Sequence, residues 1–168
     1  MTRFASHISM LLYATLLGLL AFVTAIILAS VGVLIVDSIS PGALGAVHVN
    51  AQALDMKTPG VVAAALAVML MVLSLVWAAL LPLIQMLRST AAGQPFTLAN
   101  VKRLHWIAAT IAVAYLLQFV LPPILPFESR DIVKPMGVDG VFAILLTLVL
   151  AQVFREGVRL REEADGTI

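Results

Sequence analysis

Gly93-Gln94-Pro95-Phe96-Thr97-Leu98-Ala99-Asn100-Val101-Lys102-Arg103-Leu104 is the one polar, turn-forming, basic interruption in the middle of a very apolar chain. Two long apolar runs precede it and two follow, so its reading decides the fold. Gly93 suits the left-handed conformation that ends a helix, and Pro95 disfavours simple continuation. Thr97 is placed to cap the next helix by accepting from free backbone N–H groups. Lys102 and Arg103 follow within two turns, at the depth expected for lipid headgroups.

The first run, His7 to Val36, has no charged residue. It exceeds the ~7–15 residues of a signal-peptide core and is expected to remain as a first span. As helix it measures about 45 Å against a hydrocarbon core of ~30 Å, so it must tilt or project. Asp37 to Pro59 is a polar-leaning loop with turn signals at 40–42 and 58–60, and the alternation Val47-His48-Val49-Asn50 allows a short strand. Gly60 to Leu87 is the second uncharged run, closed by Arg88. Pro82 removes the hydrogen bond to the Ala78 carbonyl and is expected to bend that helix. Beyond the central stretch, Leu104 to Leu121 forms the third span, with Trp106 as an interfacial anchor, until Pro122-Pro123 ends it. The run Gly140 to Phe154 is marginal for crossing a bilayer at about 22 Å. It is expected to draw on Ile132, Val133, Met136 and Val138 as well.

The reading is therefore an all-α membrane protein, one integral-membrane domain with four transmembrane helices in an antiparallel bundle. Its spans are 8–36, 60–87, 104–121 and 136–154, with a connecting loop at 88–103, a tail at 155–168 and outer loops at 37–59 and 127–139. Four spans gather Arg3, Arg88, Lys102, Arg103, Arg155, Arg159 and Arg161 on one side and leave Lys57, Arg130 and Lys134 on the other. The positive-inside rule then places both termini in the cytoplasm. Three spans would export the arginine-rich tail.

Composition agrees. The chain is 62% hydrophobic and 11% charged, with a mean hydropathy of +1.09, where soluble domains run near ~45–50% and ~25%. A net charge of +1 gives no reason to expect direct contact with nucleic acid. Without cysteine there is no disulfide, thiolate nucleophile or Cys-ligated metal, and His7, His48 and His105 show no ligand spacing. Neither a cofactor nor enzymatic activity is expected. Asp37, His48, Glu128 and Asp131 can meet on the outer face, but loop carboxylates are ordinarily just solvated.

No Asp, Glu, Lys or Arg lies well inside a span, which argues against a pump or a charge-lined channel. Gln118 is the strongest functional candidate among the mild polar residues, its ordinary role being an interhelical hydrogen bond. Small residues form stripes at Ala14, Gly18, Ala21, Ala25, Ala29 and Gly32 in span 1. Others run along Gly60, Ala64, Ala67, Ser74 and Ala78 in span 2, and along Gly140, Ala143, Thr147 and Ala151 in span 4. These are expected to pack within the bundle, with a homo-oligomer or partner surface on span 1 as the alternative. In the tail, Arg159 is expected to pair with Glu162 and Glu163, and Val153, Gly157 and Leu160 to share a narrow apolar face.

Two segments, Gly93-Gln94-Pro95-Phe96 with Asn100 and Arg103-Leu104, and Val153-Phe154-Arg155-Glu156-Gly157-Val158-Arg159-Leu160-Arg161-Glu162-Glu163, resemble a bacterial integral-membrane family catalogued as domain of unknown function 2975. That family is similar in length and has four expected helices, so the resemblance covers essentially the whole chain. Its genes commonly neighbour a small helix-turn-helix regulator, which implies a membrane component of a regulatory pair in the bacterial inner membrane. The family supplies no catalytic residues. Ala164-Asp165-Gly166 departs from its pattern and argues against helix to the last residue.

The leading expectation is a non-enzymatic, multi-pass protein of regulatory or interaction type, meeting the lipid bilayer and a cytoplasmic protein partner. Gln94, Pro95, Phe96, Asn100, Arg103, Phe154, Arg155, Arg159 and Leu160 are its candidate interaction face. The alternative is a small transporter or oligomeric channel for an apolar or amphiphilic solute, with Gln118, Tyr115, Thr147 and Thr24 lining its cavity.

Overall fold

The computed structural model describes residues 2–40, 59–125 and 136–166, with side chains throughout these except at 2–9, 37 and 38. The strand expected over 47–50, the outer cluster of His48, Glu128 and Asp131, and the contributions of Ile132 and Val133 lie outside these residues. Four helices make up the described chain: α1 (Thr2–Ile39), α2 (Pro59–Ala91), α3 (Leu98–Val120) and α4 (Val138–Asp165). All four are long and apolar enough to cross a membrane. α4 passes without a break from the fourth span through the tail to a cap at Gly166. Span and tail are therefore one rod.

Each helix packs on its neighbour in sequence: α1 on α2, α2 on α3 and α3 on α4. Successive contacts run antiparallel. Arg88 reaches Tyr13 and Trp77 reaches Thr24 between α1 and α2. Between α2 and α3, Arg103 reaches Gln85 and Trp106 reaches Ala78. Tyr115 lies against Gly140 in the last pair.

The described core is small. Met86, Leu104 and Ala151 form a buried cluster that draws one residue from each of α2, α3 and α4. Meanwhile Phe22 is 63% exposed and Val138 85%, alongside many other large apolar side chains. In water such a surface marks an association or aggregation site. In hydrocarbon it costs nothing, because lipid tails are as apolar as the side chains. The molecule is a multi-pass membrane protein.

The small-residue stripes divide. On α4, Gly140 and Ala151 are buried and Ala143 and Thr147 half-buried. A Cβ at Gly140 would lie 2.8 Å from the Tyr115 ring, so the close approach of α3 requires glycine there. The stripe on α1 does not pack as expected. Ala14, Gly18, Ala21, Ala25, Ala29 and Gly32 are all exposed, and a methyl group on Gly18 or Gly32 would meet nothing within 4 Å. The reason is that α1 has one neighbour among the described residues and turns Tyr13, Leu20 and Thr24 toward it instead. On α2, Ala64 and Ala78 are half-buried whereas Gly60, Ala67 and Ser74 are exposed.

Trp106, expected as an interfacial anchor, has a partner on α2. Pro82 has no N–H to offer the Ala78 carbonyl, and the Trp106 indole donates to that oxygen at 3.1 Å. An orphaned backbone acceptor in the bilayer is thus satisfied from the neighbouring helix. Trp106→Phe is expected to cost about 1 kcal/mol in unfolding from mixed micelles. In a Pro82→Ala background, where the helix supplies its own donor, the same change should cost clearly less. Equal losses in the two backgrounds would separate the indole from the proline.

Candidate functional site

The central stretch closes α2 and opens α3 through local chemistry alone. Gly93 has φ +77°, in the left-handed region. Its N–H donates to the Thr90 carbonyl at 3.0 Å and that of Gln94 to Ser89 at 2.9 Å, which satisfies two of the last carbonyls of α2. Thr97 caps α3 as expected, its hydroxyl accepting from the Asn100 N–H at 3.3 Å. Only Ala92 to Thr97 lies outside helix, so Arg88, Lys102 and Arg103 are carried on helix ends rather than on a loop.

Asn100 holds this corner together. It is fully buried at 0% exposure. Its Nδ2 donates to Ser89 Oγ and to the Pro95 carbonyl, both at 2.7 Å. Its Oδ1 accepts from Arg103 at 2.7 Å, and Arg103 also donates to Gln85 at 3.1 Å. One side chain thereby ties the end of α2, the turn and the start of α3. Asn100 and Arg103 are internal fasteners of the candidate face, with Asn100 closed to any partner.

The turn then packs on α4. The Phe96 and Phe154 rings lie 5.4 Å apart and tilted, a favourable aromatic geometry. Gly157 sits directly beneath Phe96, where a Cβ would come within 2.5 Å of the ring. The apolar stripe facing the turn is Ala151, Phe154, Gly157 and Val158 rather than Val153, Gly157 and Leu160. Val158 is buried, whereas Val153 and Leu160 are 55% and 56% exposed. Helical spacing permits either stripe, and the position of Phe96 selects this one. Arg159 pairs with Glu163 as expected, at 3.2 Å, and with Glu156 at 3.0 Å in place of Glu162. These pairs are exposed and contribute little stability.

The two halves of the candidate face therefore meet, and their outer surface presents Gln94, Arg155, Arg159 and Leu160, with Pro95 and Phe154 half-buried and Phe96 40% exposed. Beside them runs an open groove of about 460 Å³ lined by Leu98, Lys102, His105, Trp106, Ala109 and Arg155. The central stretch supplies Lys102 and the tail Arg155. Arg88 is held by Tyr13, Arg103 by Asn100 and Gln85, and Arg159 and Arg161 by carboxylates of their own helix. Lys102 and Arg155 have no such partner among the described residues. His105 directs Nδ1 to the Val101 carbonyl at 2.8 Å. Lys102, His105 and Trp106 reach this groove through their tertiary positions, and no sequence pattern joined them to Arg155.

The four residues expected to line a transport cavity do not meet. Thr24 bonds Leu20 and Trp77, Thr147 bonds Ala143 within α4, and Tyr115 packs on Gly140. Gln118 lines a groove between α2 and α3 that none of the other three lines, and the interhelical hydrogen bond expected of it is absent among the described residues, where both amide atoms are buried without a partner.

The sequence model of a family described as "Protein of unknown function (DUF2975)" matches residues 46–168. No curated protein and no solved structure matches the chain.

Proposed function

We propose that this chain, which belongs to the DUF2975 family, is a non-enzymatic protein of the bacterial inner membrane that recruits a soluble protein to a cytoplasmic face built from residues 88–104 and 154–165. One observation carries this reading: Lys102 and Arg155, one from each half of the face, line a single groove with no intramolecular ion pair among the described residues. Exposed Leu98 and Trp106 flank them. Cations set in an apolar frame favour an acidic segment that also brings an apolar side chain, because charge complementarity fixes register while the apolar contact supplies burial. The helix-turn-helix regulator implied by the family resemblance is the first candidate for that partner.

A photo-cross-linking residue at Leu98 or Leu160 in whole membranes tests this. An adduct with one soluble protein is expected, reduced about tenfold by Lys102→Glu with Arg155→Glu, a loss of about 1.4 kcal/mol. An adduct insensitive to the charge reversal, or none in the unaltered protein, would contradict recruitment through this groove.

A further inference from the structure

The groove that holds Lys102 and Arg155 continues from the membrane boundary into the bilayer. On α3 its wall is Leu98, Lys102, His105, Trp106 and Ala109, spaced at helical intervals and so on one face. Lys102 precedes the third span and is expected at headgroup depth, whereas Ala109 lies about 10 Å further along the helix. Arg155 enters from α4, directly after the fourth span, so the two cations reach the boundary from adjacent helices. No carboxylate lines the groove. Neither cation has an ion pair among the described residues, while Arg88, Arg103, Arg159 and Arg161 are each engaged. Deeper in, the wall is apolar. Trp106 is 59% exposed, and its indole N–H is already given to the Ala78 carbonyl, so it offers ring surface alone.

We propose that this groove holds an anionic phospholipid, with its phosphodiester at Lys102 and Arg155 and an acyl chain along Trp106 and Ala109. Charge selects the headgroup. A zwitterionic lipid would bring a further cation to a site that already has two, whereas an anionic lipid brings net negative charge to a pair without a counter-ion. The Arg155 guanidinium can take two phosphate oxygens while the Lys102 ammonium acts as a point charge. Depth selects a lipid over a soluble anion. A free phosphate reaches the cations from water but leaves the wall from Trp106 to Ala109, about one to two turns deeper, uncovered. An acyl chain carried on the same phosphate covers it. The site shares its two cations with the recruiting face, so lipid and acidic segment exclude one another there. The lipid itself requires no soluble protein and is tested without one, so its failure and that of recruitment are separate results.

The test uses the full chain in phosphatidylcholine vesicles with no soluble protein present. The chain has two tryptophans, so Trp77→Phe leaves Trp106 in the groove as the sole indole. Its fluorescence is followed as the host lipid is replaced by phosphatidylglycerol brominated on its acyl chains, and in a parallel series by brominated phosphatidylcholine. Bromine quenches at short range, so the two curves compare the lipids at the groove wall. Phosphatidylglycerol should quench at lower mole fractions, with a preference of about tenfold from the two cations. Lys102→Gln combined with Arg155→Gln should bring that preference close to one. In the converse background, Trp106→Phe, the remaining Trp77 on α2 lies outside the groove and should show no preference. Equal quenching by the two lipids at Trp106, or a preference that survives removal of both cations, would overturn the site. An equal preference at Trp77 would also overturn it, in favour of a general attraction of anionic lipid to the charged surface.

Discussion

Asn100→Ala is expected to be the most damaging single change outside the membrane-facing core, lowering stability by about 3 kcal/mol or more. The side chain is wholly buried and makes three bonds at 2.7 Å, to Ser89, to the Pro95 carbonyl and from Arg103. Truncation leaves the Pro95 carbonyl without that donor and takes one of two acceptors from Arg103. Each buried polar group left unmet costs about 1–3 kcal/mol. A cavity term adds to this because the site is closed. Ser89→Ala supplies the comparison. It removes one acceptor while the Asn100 amide keeps Pro95, so about 1 kcal/mol is expected. Chemical unfolding in mixed micelles distinguishes the two. Similar losses from both substitutions would mean that Asn100 does not organise the corner.

Gly157→Leu is expected to separate the tail from the turn. A Cβ at Gly157 lies 2.5 to 2.9 Å from Cδ1, Cε1 and Cγ of Phe96, so the ring must move as a body, root included. Replacing a helix-interior glycine gains up to about 1 kcal/mol of helix propensity. Forcing extra volume into a filled contact costs about 1–3 kcal/mol, and the Phe96–Phe154 contact loses a further ~0.5–1.5 kcal/mol. The balance is a net loss of about 2 kcal/mol together with loss of the cross-linked partner. Phe96→Ala makes room for the leucine, so the double variant should be less unstable than the sum of the single effects. Strict additivity would show that Gly157 and Phe96 do not share one space.

The fold was legible wherever the determinants are local. Gly93, Thr97 and Pro122 fix helix ends through their own backbone chemistry, and four long apolar runs leave few alternatives in a bilayer. Pro82 identified the Ala78 carbonyl as an orphan, but only the packing of α3 on α2 identified Trp106 as its donor. Small residues on α1 and α4 look alike in sequence, yet one stripe packs and the other is exposed, because neighbour relations are not written in the spacing.

The candidate site was legible in part. Both halves were visible as polar motifs on apolar runs, and their meeting follows from four spans. Asn100 carried no local sign of complete burial. The Val158 stripe was indistinguishable from the Leu160 stripe until Phe96 was placed. The pairing of Lys102 with Arg155 across one groove is a tertiary fact, and so is the isolation of the Gln118 amide.

Everything proposed for the recruiting face requires that the turn and the tail lie together in the cytoplasm. The absence of cysteine makes this directly measurable. Single-cysteine variants at Leu98 and Leu160, both exposed, can be treated with a membrane-impermeant maleimide in right-side-out and inside-out vesicles. Both positions should label in inside-out vesicles and neither in right-side-out vesicles. Labelling of either from the outer side, or of the two from opposite sides, would contradict a shared cytoplasmic face.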